Sequence, residues 1–257
     1  MTTTEHVSDN RQPGEVYEIP DSVTADQLSA FAELGVSTTA SVLGPMLPRT
    51  GALSDRGSLP RITGEGCVAG RAFTVWNPPG STRMMKPALE MITPLDVLVI
   101  ASDRETASWG DIATSMAIPR GVRGVIVDGA VRDVDRIAAT GFSVWASRVY
   151  AGEQRIHRAP GALNIPIRVG PLVVSAGDVI VADGDGIVAI SPDLVDQALA
   201  AATRSAEREE RILKATRAGE MPAEWTAIYE SADIKFWVDE VQDDPIRKMG
   251  TTWSARS

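Results

Sequence analysis

The chain has 257 residues, 44% hydrophobic and 23% charged, so it can bury a sizeable core. Its formal net charge of -9 argues against general binding to nucleic acid or to an anionic membrane. The single cysteine, Cys67, excludes an internal disulfide and fits a reducing compartment. The start of the chain lacks a signal-peptide pattern, and the longest apolar stretch, near 97–101, is far shorter than the roughly 20 residues of a membrane helix. We therefore expect a soluble, cytoplasmic protein.

The first 61 residues predict an arm, two short helices and a loop. Residues 1–22 are polar and have no apolar periodicity, which indicates a flexible or loosely docked arm. The residues that follow carry apolar side chains at helical spacing, with a glycine between the two helices. The predicted order is an arm at 1–22, a helix over 24–34 ended by Gly35, a second helix from Ser37 or Thr38 to Leu43, and a loop over 44–61.

Strands and helices alternate in the middle of the chain, which is the order of an α/β core. The strand candidates are rich in β-branched residues, and glycine, proline and aspartate separate them from the helices. The predicted elements are a strand over 67–76, a helix over 83–92 despite Pro87, a strand over 96–100, a helix opening at Gly110 and Asp111, a break at 119–121, a strand at 125–127, a turn at 128–129, and a short helix capped by Asp133 that ends near Gly141.

The second half of the chain predicts short strands and then one long helix. Ser191 and Pro192 form a suitable N-cap and first turn for a helix that reaches about Arg217 and ends at Gly219. Its apolar stripe, from Leu194 to Leu213, is expected to face a core. The strand candidates, which we expect to form a β-rich layer packed on the first half, lie at 163–169, 172–174, 179–182 and 186–190.

Several common kinds of catalytic site are poorly supported. Only two histidines are present, His6 in the arm and His157 in a loop flanked by glycine and proline, so a Ser-His-Asp or Cys-His site is not expected. Cys67 has no neighbouring histidine or basic cluster, which favours a small buried residue over a nucleophile. The ligand count excludes a structural zinc. Phosphate-loop, calcium-loop, dinucleotide and methyl-donor motifs are also absent from the sequence.

Carboxylate chemistry remains, at residues that the pattern places at the ends of elements. Asp133 could hold a hard divalent cation through one oxygen and several waters, and Arg132 offers a planar fork for a carboxylate or oxyanion. Asp111 lies beside backbone N–H groups, those of Ile112 and Ala113, that can receive an anion. The alternative is that both aspartates are only helix caps and Arg132 only a surface ion pair. Spacing alone leaves both readings open.

The spacing of these residues resembles a family signature. Twenty residues, 112–131, separate Asp111 from Arg132, so the chain reads D-x20-R-D. The blocks at 120–133 and 176–189, with weaker echoes at 70–75 and 164–167, are similar to blocks of the metal-dependent class II pyruvate aldolases of the RraA-like family. The resemblance covers roughly residues 23–219.

The resemblance implies a mixed α/β fold, a β/β/α three-layer sandwich of the swivelling-domain type with a long C-terminal helix and an extension. It also implies a homotrimer or homohexamer with sites between subunits. On this basis we expect three segments: a flexible arm at 1–22, an aldolase domain at 23–219, and an extension at 220–257. The extension carries Trp225, Tyr229, Phe236, Trp237 and Trp253, which favours docking on the body or on a neighbouring subunit over disorder.

The resemblance also assigns a role to each candidate residue. By similarity, Asp133 binds Mg or Mn, and Asp111 orders the waters of that metal. Arg132 holds the pyruvoyl oxygens of a 2-oxoacid substrate. The backbone amides of Ile112 and Ala113 take the substrate carboxylate.

An acidic residue from the C-terminal helix of a neighbouring subunit also approaches the metal waters in such aldolases. Glu209 is our candidate, with Glu210 or Glu207 as alternatives, although a solvated helix face is the other reading of all three. The chain departs from the family pattern at Lys86, where relatives often carry histidine, and in its arm and aromatic tail. Recognition of the distal part of the substrate is therefore not carried over.

The implied reaction is a retro-aldol cleavage of a 4-hydroxy-2-oxoacid to pyruvate and a carbonyl product. A base removes the proton of the substrate hydroxyl, and a metal-ordered water is one candidate for that base. Oxaloacetate decarboxylation passes through the same enolate and is an expected side activity. The alternatives are a non-catalytic regulator that binds a protein partner, as the ribonuclease-inhibiting members do, or a decarboxylase or other lyase with the same site. The presence of Asp111 and Asp133 favours an enzyme.

Overall fold

A computed structural model of the chain describes residues 14–20, 23–43, 59–152 and 159–222. These residues form five α-helices and twelve β-strands. In chain order they are β1 (Glu15–Val16), α1 (Ala25–Leu43), β2 (Arg61–Thr63), β3 (Val68–Trp76), α2 (Met85–Met91), β4 (Asp96–Ala101), β5 (Ala107–Trp109), α3 (Asp111–Ala117), β6 (Val125–Val131), α4 (Val134–Ala138), β7 (Val144–Val149), β8 (Ala162–Leu163), β9 (Ile167–Val169), β10 (Leu172–Val174), β11 (Val179–Ala182), β12 (Ile187–Ile190) and α5 (Val195–Arg217).

Ten of these strands form one sheet, whose main path runs β1-β8-β3-β4-β6-β7-β2. Its centre is parallel, because β3 pairs with β4, β4 with β6, and β6 with β7 in the same direction. Short β5 pairs in parallel with β6, and β11 joins β3 to β12 through antiparallel pairing. Parallel neighbours need crossover connections, which α2, α3 and α4 supply along the chain. The expected α/β core is therefore confirmed.

The central strands are covered on both faces, as β4 illustrates. Leu98 and Ile100 point to one face and pack in a core with residues of α2, α3 and α4. Val97 and Val99 point to the other face and pack against the antiparallel hairpin β9–β10 and residues of β11 and β12. Because side chains alternate along a strand, one apolar run can serve both cores. The result is the layered, mixed α/β fold that the resemblance implies.

A third core lies between α1, α5 and the β11–β12 pair. Leu28 and Phe31 of α1 and Ala198 of α5 are fully buried there. Gly35 has φ 76° and ψ 174°, which interrupts α1 between the two predicted helical segments. Glycine adopts this positive φ without the steric cost that a Cβ atom would add.

The structure differs from the sequence prediction at residues 128–129, where a turn was expected. Strand β6 continues through Asp128 and Gly129 to Val131, with an irregular register against β7. Ser147 bridges the irregularity, since its Oγ accepts from the N–H of Gly129 and donates to the carbonyl of the same residue. A Cβ atom at Gly129 would lie 2.9 Å from the carbonyl oxygen of Asp103. Glycine therefore permits a close approach here instead of a reversal of the chain.

The second half of the chain is joined to the sheet more closely than expected. Strands β8, β11 and β12 are hydrogen-bonded members of the main sheet, and only β9 and β10 form a separate pair. The strand predicted over 163–169 is split, because Asn164 adopts a left-handed conformation with φ 61°. Short β5 was not predicted at all, since its three residues are too few for a period to be visible.

Part of the expected N-terminal arm is an ordered strand. Glu15 and Val16 pair in parallel with Ala162 and Leu163. The side chain of Asn164 also binds this segment, because its Nδ2 donates to the carbonyl of Tyr17 at 2.8 Å. Pairing with β8 orders residues 15–16, although the polar, aperiodic composition of residues 1–22 predicted a flexible or loosely docked arm.

The chain divides into two units, residues 1–207 and 208–257. The described part of the second unit is the C-terminal half of α5, its end at Gly219 with φ 77°, and residues to 222. Leu213, predicted to face a core, is 46% exposed, so the apolar stripe of α5 is buried only in its first half. The expected boundaries at 22/23 and 219/220 stay predictions.

Some predictions fall on residues that the structure does not describe. They concern His6, His157, most of the loop at 44–61, and the aromatic side chains beyond 222. Among the described helices, none is both long enough and apolar enough to cross a membrane.

Candidate active site at the ends of strands β5 and β6

The candidate residues meet because two parallel strands end side by side. Strand β5 leads through Gly110 into α3, and its neighbour β6 leads through Arg132 and Asp133 into α4. The backbone N–H of Arg132 donates to the carbonyl of Trp109 at 3.0 Å, which ties the two connections together. The twenty residues between Asp111 and Arg132 thus form a helix, a turn and a strand that return the chain to the same edge of the sheet.

Asp133 does not cap α4 with its side chain, although it occupies the capping position. Its backbone is left-handed, with φ 59° and ψ 33°, a region that aspartate and asparagine enter more readily than most residues. Its Oδ2 accepts a hydrogen bond from the backbone N–H of Asp111, at 3.3 Å, in the neighbouring helix. Strained backbone of this kind clusters at functional sites. The carboxylate is therefore directed at α3 instead of at its own helix.

Asp111 is the first residue of α3, and its carboxylate forms an ion pair with Arg136. The Oδ2 of Asp111 accepts from Nη1 of Arg136 at 2.9 Å. This hydrogen bond is the main reason why the pKa of Asp111 lies below its usual value. The same contact is the main cause of a raised pKa for Arg136, to which the charge of Asp133 adds. Asp111 is therefore ionised at neutral pH.

Arg132 directly follows the last residue of β6 and has one buried donor without a hydrogen bond in the described part of the chain. Its Nε is 3.4 Å from Oδ2 of Asp133, close enough for an ion pair. That Nε is nevertheless buried and forms no hydrogen bond with any described residue. Buried donors in native proteins nearly always have a partner, so an orphaned guanidinium nitrogen indicates a place for a ligand acceptor.

Gly110 leaves room for these side chains. A Cβ atom there would lie 2.6 Å from Oδ2 of Asp133 and 3.3 Å from Cγ of Arg132. The backbone of Gly110 is extended, with φ -160°, so the absence of a side chain matters for space and not for conformation. Its carbonyl accepts from Oγ1 of Thr114, whose Oγ1 in turn accepts from the indole N–H of buried Trp109. This chain of contacts holds the start of α3 rigidly.

The remaining predicted residues lie at different depths. Ile112 is 70% exposed, whereas the side chain of Ala113 packs against the core beneath the helices. Both belong to the first turn of α3, where N–H groups have no acceptor within the helix. Glu209 lies on the exposed surface of α5, in the second unit. The structure thus brings together Asp111, Arg132 and Asp133, while the approach of Glu209 from a neighbouring subunit stays a prediction.

Sequence reasoning missed two residues of this site, Gly110 and Arg136. Gly110 was noted only as a helix start. Arg136 lies one turn into the helix that Asp133 precedes, and a basic residue this close in sequence to a candidate carboxylate is the signal that could have found it.

Cys67 is half-buried and behaves as the sequence suggested. Burial is the main reason why the pKa of its thiol rises to about 12, and the charge of Asp183 adds to the effect. A thiol with this pKa is protonated at neutral pH, so it is a poor nucleophile.

A model of the RraA-like family, described as Aldolase/RraA, matches residues 25–189, more than half of the chain. The chain belongs to the RraA-like family. The match includes both strand-to-helix connections described above, so the site lies within the family domain.

Individual relatives match over shorter stretches. An uncharacterized Methanocaldococcus jannaschii protein is 31% identical over 42% of this chain and 51% of its own length. A Halalkalibacterium halodurans protein, provisionally named 4-hydroxy-4-methyl-2-oxoglutarate aldolase, is 31% identical over 43% of this chain and 53% of its own. The chain therefore spans about half the length of these RraA-like relatives.

The solved structures support the same fold. Streptomyces coelicolor RraAS2, described as an unusual member of the RNase ES inhibitor RraA protein family, superposes with a TM-score of 0.64. It is 23% identical, and the alignment covers 73% of this chain and 96% of that one. At this identity the likeness concerns the fold of the RraA-like domain alone.

A divalent cation, which the aldolase members of the RraA-like family imply, fits the residues present. Asp133 offers a carboxylate that is not used as a cap, and Asp111 offers a second one beside it. Magnesium is commonly bound through one or two carboxylates and several waters, so a larger cage of side chains is not required. No cluster of three or more His, Cys, Asp or Glu residues suited to a metal occurs in the described parts of the chain. Any third acidic group would have to come from elsewhere.

Proposed function

We propose that this chain is a divalent-cation-dependent carbon–carbon lyase that cleaves a 4-hydroxy-2-oxoacid into pyruvate and a carbonyl product. The observation that carries the proposal is the left-handed Asp133, whose carboxylate is directed at the start of α3 instead of capping α4. Aspartate at this position commonly caps its own helix, whereas this carboxylate accepts from α3. Asp133 would bind the cation, with magnesium or manganese as the metal, and Asp111 would order the waters of that cation.

Arg132 would bind the oxoacid. Its buried Nε needs an acceptor, and the planar guanidinium can hold a carboxylate or keto oxygen through two parallel hydrogen bonds. The first-turn N–H groups of Ile112 and Ala113 would receive the substrate carboxylate. Because Arg132 lies 3.4 Å from Asp133, the oxoacid and the cation would be neighbours.

The cleavage would need one proton transfer before the bond breaks. A water held by Asp111 would take the proton of the substrate hydroxyl and later return a proton to C3, the bond between C3 and C4 would break, and its electron pair would move into the enolate of pyruvate. A cation bound by Asp133 would supply positive charge that stabilises the enolate. Arg132 would donate hydrogen bonds to the enolate oxygen, where they strengthen as charge develops. Protonation of the enolate at C3 then releases pyruvate.

Several finer expectations belong to this proposal. The active form would be a homotrimer or homohexamer in which Glu209 of a neighbouring subunit approaches the cation. Oxaloacetate would be decarboxylated as a side reaction, since loss of carbon dioxide gives the same enolate. The protein would work in the cytoplasm on small 2-oxoacids, without nucleic acid or membrane.

The test is pyruvate release, coupled to lactate dehydrogenase, from oxaloacetate and from a panel of 4-hydroxy-2-oxoacids. Each substrate is assayed with magnesium, with manganese and with EDTA. Asp133→Asn serves as the site variant and Asp135→Asn as its control, because Asp135 is an exposed acidic residue in the first turn of the same helix. Asp133→Asn also gives the background rate at which free metal decarboxylates oxaloacetate.

EDTA-sensitive release by the wild type and by Asp135→Asn, but not by Asp133→Asn, would support the lyase. Release from oxaloacetate alone would indicate a decarboxylase that uses the same site. If no substrate yields pyruvate although the cation binds, the lyase proposal fails and a regulator that binds a protein partner becomes the better account.

A further inference from the structure

Arg136 holds the carboxylate of Asp111 from the surface of α4. It lies within α4, one turn after the left-handed Asp133, and both side chains form hydrogen bonds with Asp111 at the start of α3. Its Nη1 donates to Oδ2 of Asp111 at 2.9 Å. The side chain of Arg136 is 78% exposed, whereas that of Asp111 is 25% exposed. The arginine therefore reaches the inner carboxylate from the solvent side.

The four charges of the site are arranged as two pairs. Arg132 lies beside Asp133, and Arg136 lies beside Asp111, so two negative groups are balanced by two positive ones. A divalent cation bound by Asp133 would add two positive charges to a cluster that is already neutral. Arg132 and Arg136 would each repel the cation and would each attract the carboxylate with which it is paired.

We propose that Arg136 is a positioning residue that fixes the Asp111 carboxylate for the reaction and, through its charge, weakens the affinity of the site for the divalent cation. This inference rests on the proposed function, because it assumes that Asp133 binds a cation whose waters Asp111 orders. Positioning of the Asp111 carboxylate by Arg136 favours cation binding, whereas the charge of Arg136 opposes it. The larger of these two effects decides whether loss of Arg136 weakens or strengthens cation binding.

The repulsion is the larger effect on cation affinity. Loss of an exposed ion pair should weaken cation binding only slightly, since water screens the pair and its net free energy is small. Repulsion between a unit charge and a divalent ion is twice that between two unit charges at the same distance, and so remains appreciable even in water. Removal of the charge of Arg136 should therefore tighten cation binding by about fivefold at low ionic strength. Turnover should change in the opposite direction, because Asp111 is no longer held.

The experiment measures manganese binding by isothermal titration calorimetry on the full chain, for the wild type and three variants. Arg136→Gln removes the charge, and Arg136→Lys keeps the charge but not the planar fork. Arg104→Gln is the control, because Arg104 is an exposed arginine paired with a different aspartate, Asp128, at 3.7 Å. We expect Arg136→Gln to bind manganese about fivefold more tightly, with a smaller difference in 0.5 M salt at a Debye length of only a few Å. Arg136→Lys and Arg104→Gln should bind as the wild type does.

Turnover at saturating cation gives the second readout. We expect Arg136→Gln to lose about tenfold in kcat, since a small misplacement of a catalytic group is costly. A merely structural residue would weaken cation binding and turnover together, so opposite changes are specific to the proposed role. Unchanged or weaker manganese binding in Arg136→Gln would overturn the inference, as would binding in Arg136→Lys that is tighter than in the wild type. Neither result would contradict the lyase activity. A wild type that binds no cation would overturn the proposed function and this inference with it.

Discussion

Oδ2 of Asp133, the residue before α4, accepts a hydrogen bond of 3.3 Å from the backbone N–H of Asp111, the first residue of α3. The contact exists because β5 and β6 are parallel neighbours that end at the same edge of the sheet. It places a carboxylate where the first turn of a helix has unsatisfied donors, and it leaves α4 without a side-chain cap.

Asp133→Asn should lose at least about 100-fold in cation-dependent turnover, since a direct ligand should matter at least as much as the outer groups around a metal. Asparagine tolerates the left-handed backbone at φ 59°, so the thermal unfolding midpoint should change little. Asp135→Asn carries the same change of charge and should retain activity. Asp133→Ala should also be inactive, but the conformational strain makes it the less clean variant. Full turnover in Asp133→Asn, measured by coupled pyruvate release, would remove Asp133 from the site.

Gly110→Ala should impair the site without unfolding the chain. The new Cβ atom would lie 2.6 Å from Oδ2 of Asp133, so the carboxylate must move, while the extended backbone accepts alanine. We expect reduced affinity for manganese by calorimetry, together with a clear loss of turnover. Gly66→Ala is the control, because that position has φ 71° but no atom within 4 Å of the added carbon. It should lose about 1 kcal/mol of stability and no activity.

Arg132→Lys should raise KM and lower kcat together. Lysine keeps the positive charge but lacks the planar fork and the Nε that is buried without a hydrogen bond. A loss of about 100-fold in kcat is expected if the guanidinium donates to the developing enolate oxygen. Arg123→Lys, which alters an arginine bonded to the Pro94 carbonyl, is the matched control. A change in KM alone would indicate that Arg132 only binds the substrate.

Asp178→Asn should stabilise the fold above pH 6. Asp178 is 8% exposed, and its burial is the main reason why its pKa rises to about 6 from 3.8. The folded state therefore binds the proton more tightly than the unfolded chain, so ionisation of Asp178 costs stability that returns as the pH falls from 6 toward 4. The shift of about two pKa units sets an upper limit of about 3 kcal/mol on the gain.

Urea denaturation at pH 8 and at pH 4 tests this expectation. The free energy of unfolding of Asp178→Asn should exceed that of the wild type at pH 8 and equal it at pH 4. Asparagine can still accept the hydrogen bond that Asp178 takes from the N–H of Ser175 at 2.8 Å. Asp185→Asn, at an exposed position, should show no such pH-dependent difference. An equal effect of Asp178→Asn at both pH values would contradict the assigned cause.

Light scattering should give a mass of three or six chains. Apolar side chains flank the candidate site and are exposed in the single chain, with Ile112 at 70% and Val149 at 54%. Ile112 follows Asp111, and Val149 pairs with Val131 immediately before Arg132. Burial of these side chains against another copy would remove apolar surface from water. A monomer at micromolar concentration would count strongly against a site that depends on a neighbouring subunit.

Much of the fold could be predicted from local pattern. The break of α1 at Gly35, strands β3 and β4, and the end of α5 before Gly219 all follow from residue types whose preference acts over a few positions. The errors occurred where a distant partner prevailed over a local signal. Asp128 and Gly129 are turn-forming residues that continue β6 because Ser147 and the Asp103 segment accommodate them. Val16 pairs with β8, which no local pattern could reveal.

The sequence by itself determined the family and identified Asp111, Arg132 and Asp133 as candidate site residues, because their identities and spacing are written along the chain. Only the tertiary structure decided where each side chain points. Helix capping and ligand binding use the same residue type at the same position, and direction alone separates them. The parallel pairing of β5 with β6 sets that direction for Asp133 and places Gly110 and Arg136 beside it. These contacts join segments more than twenty residues apart, and therefore arise only once the sheet has formed.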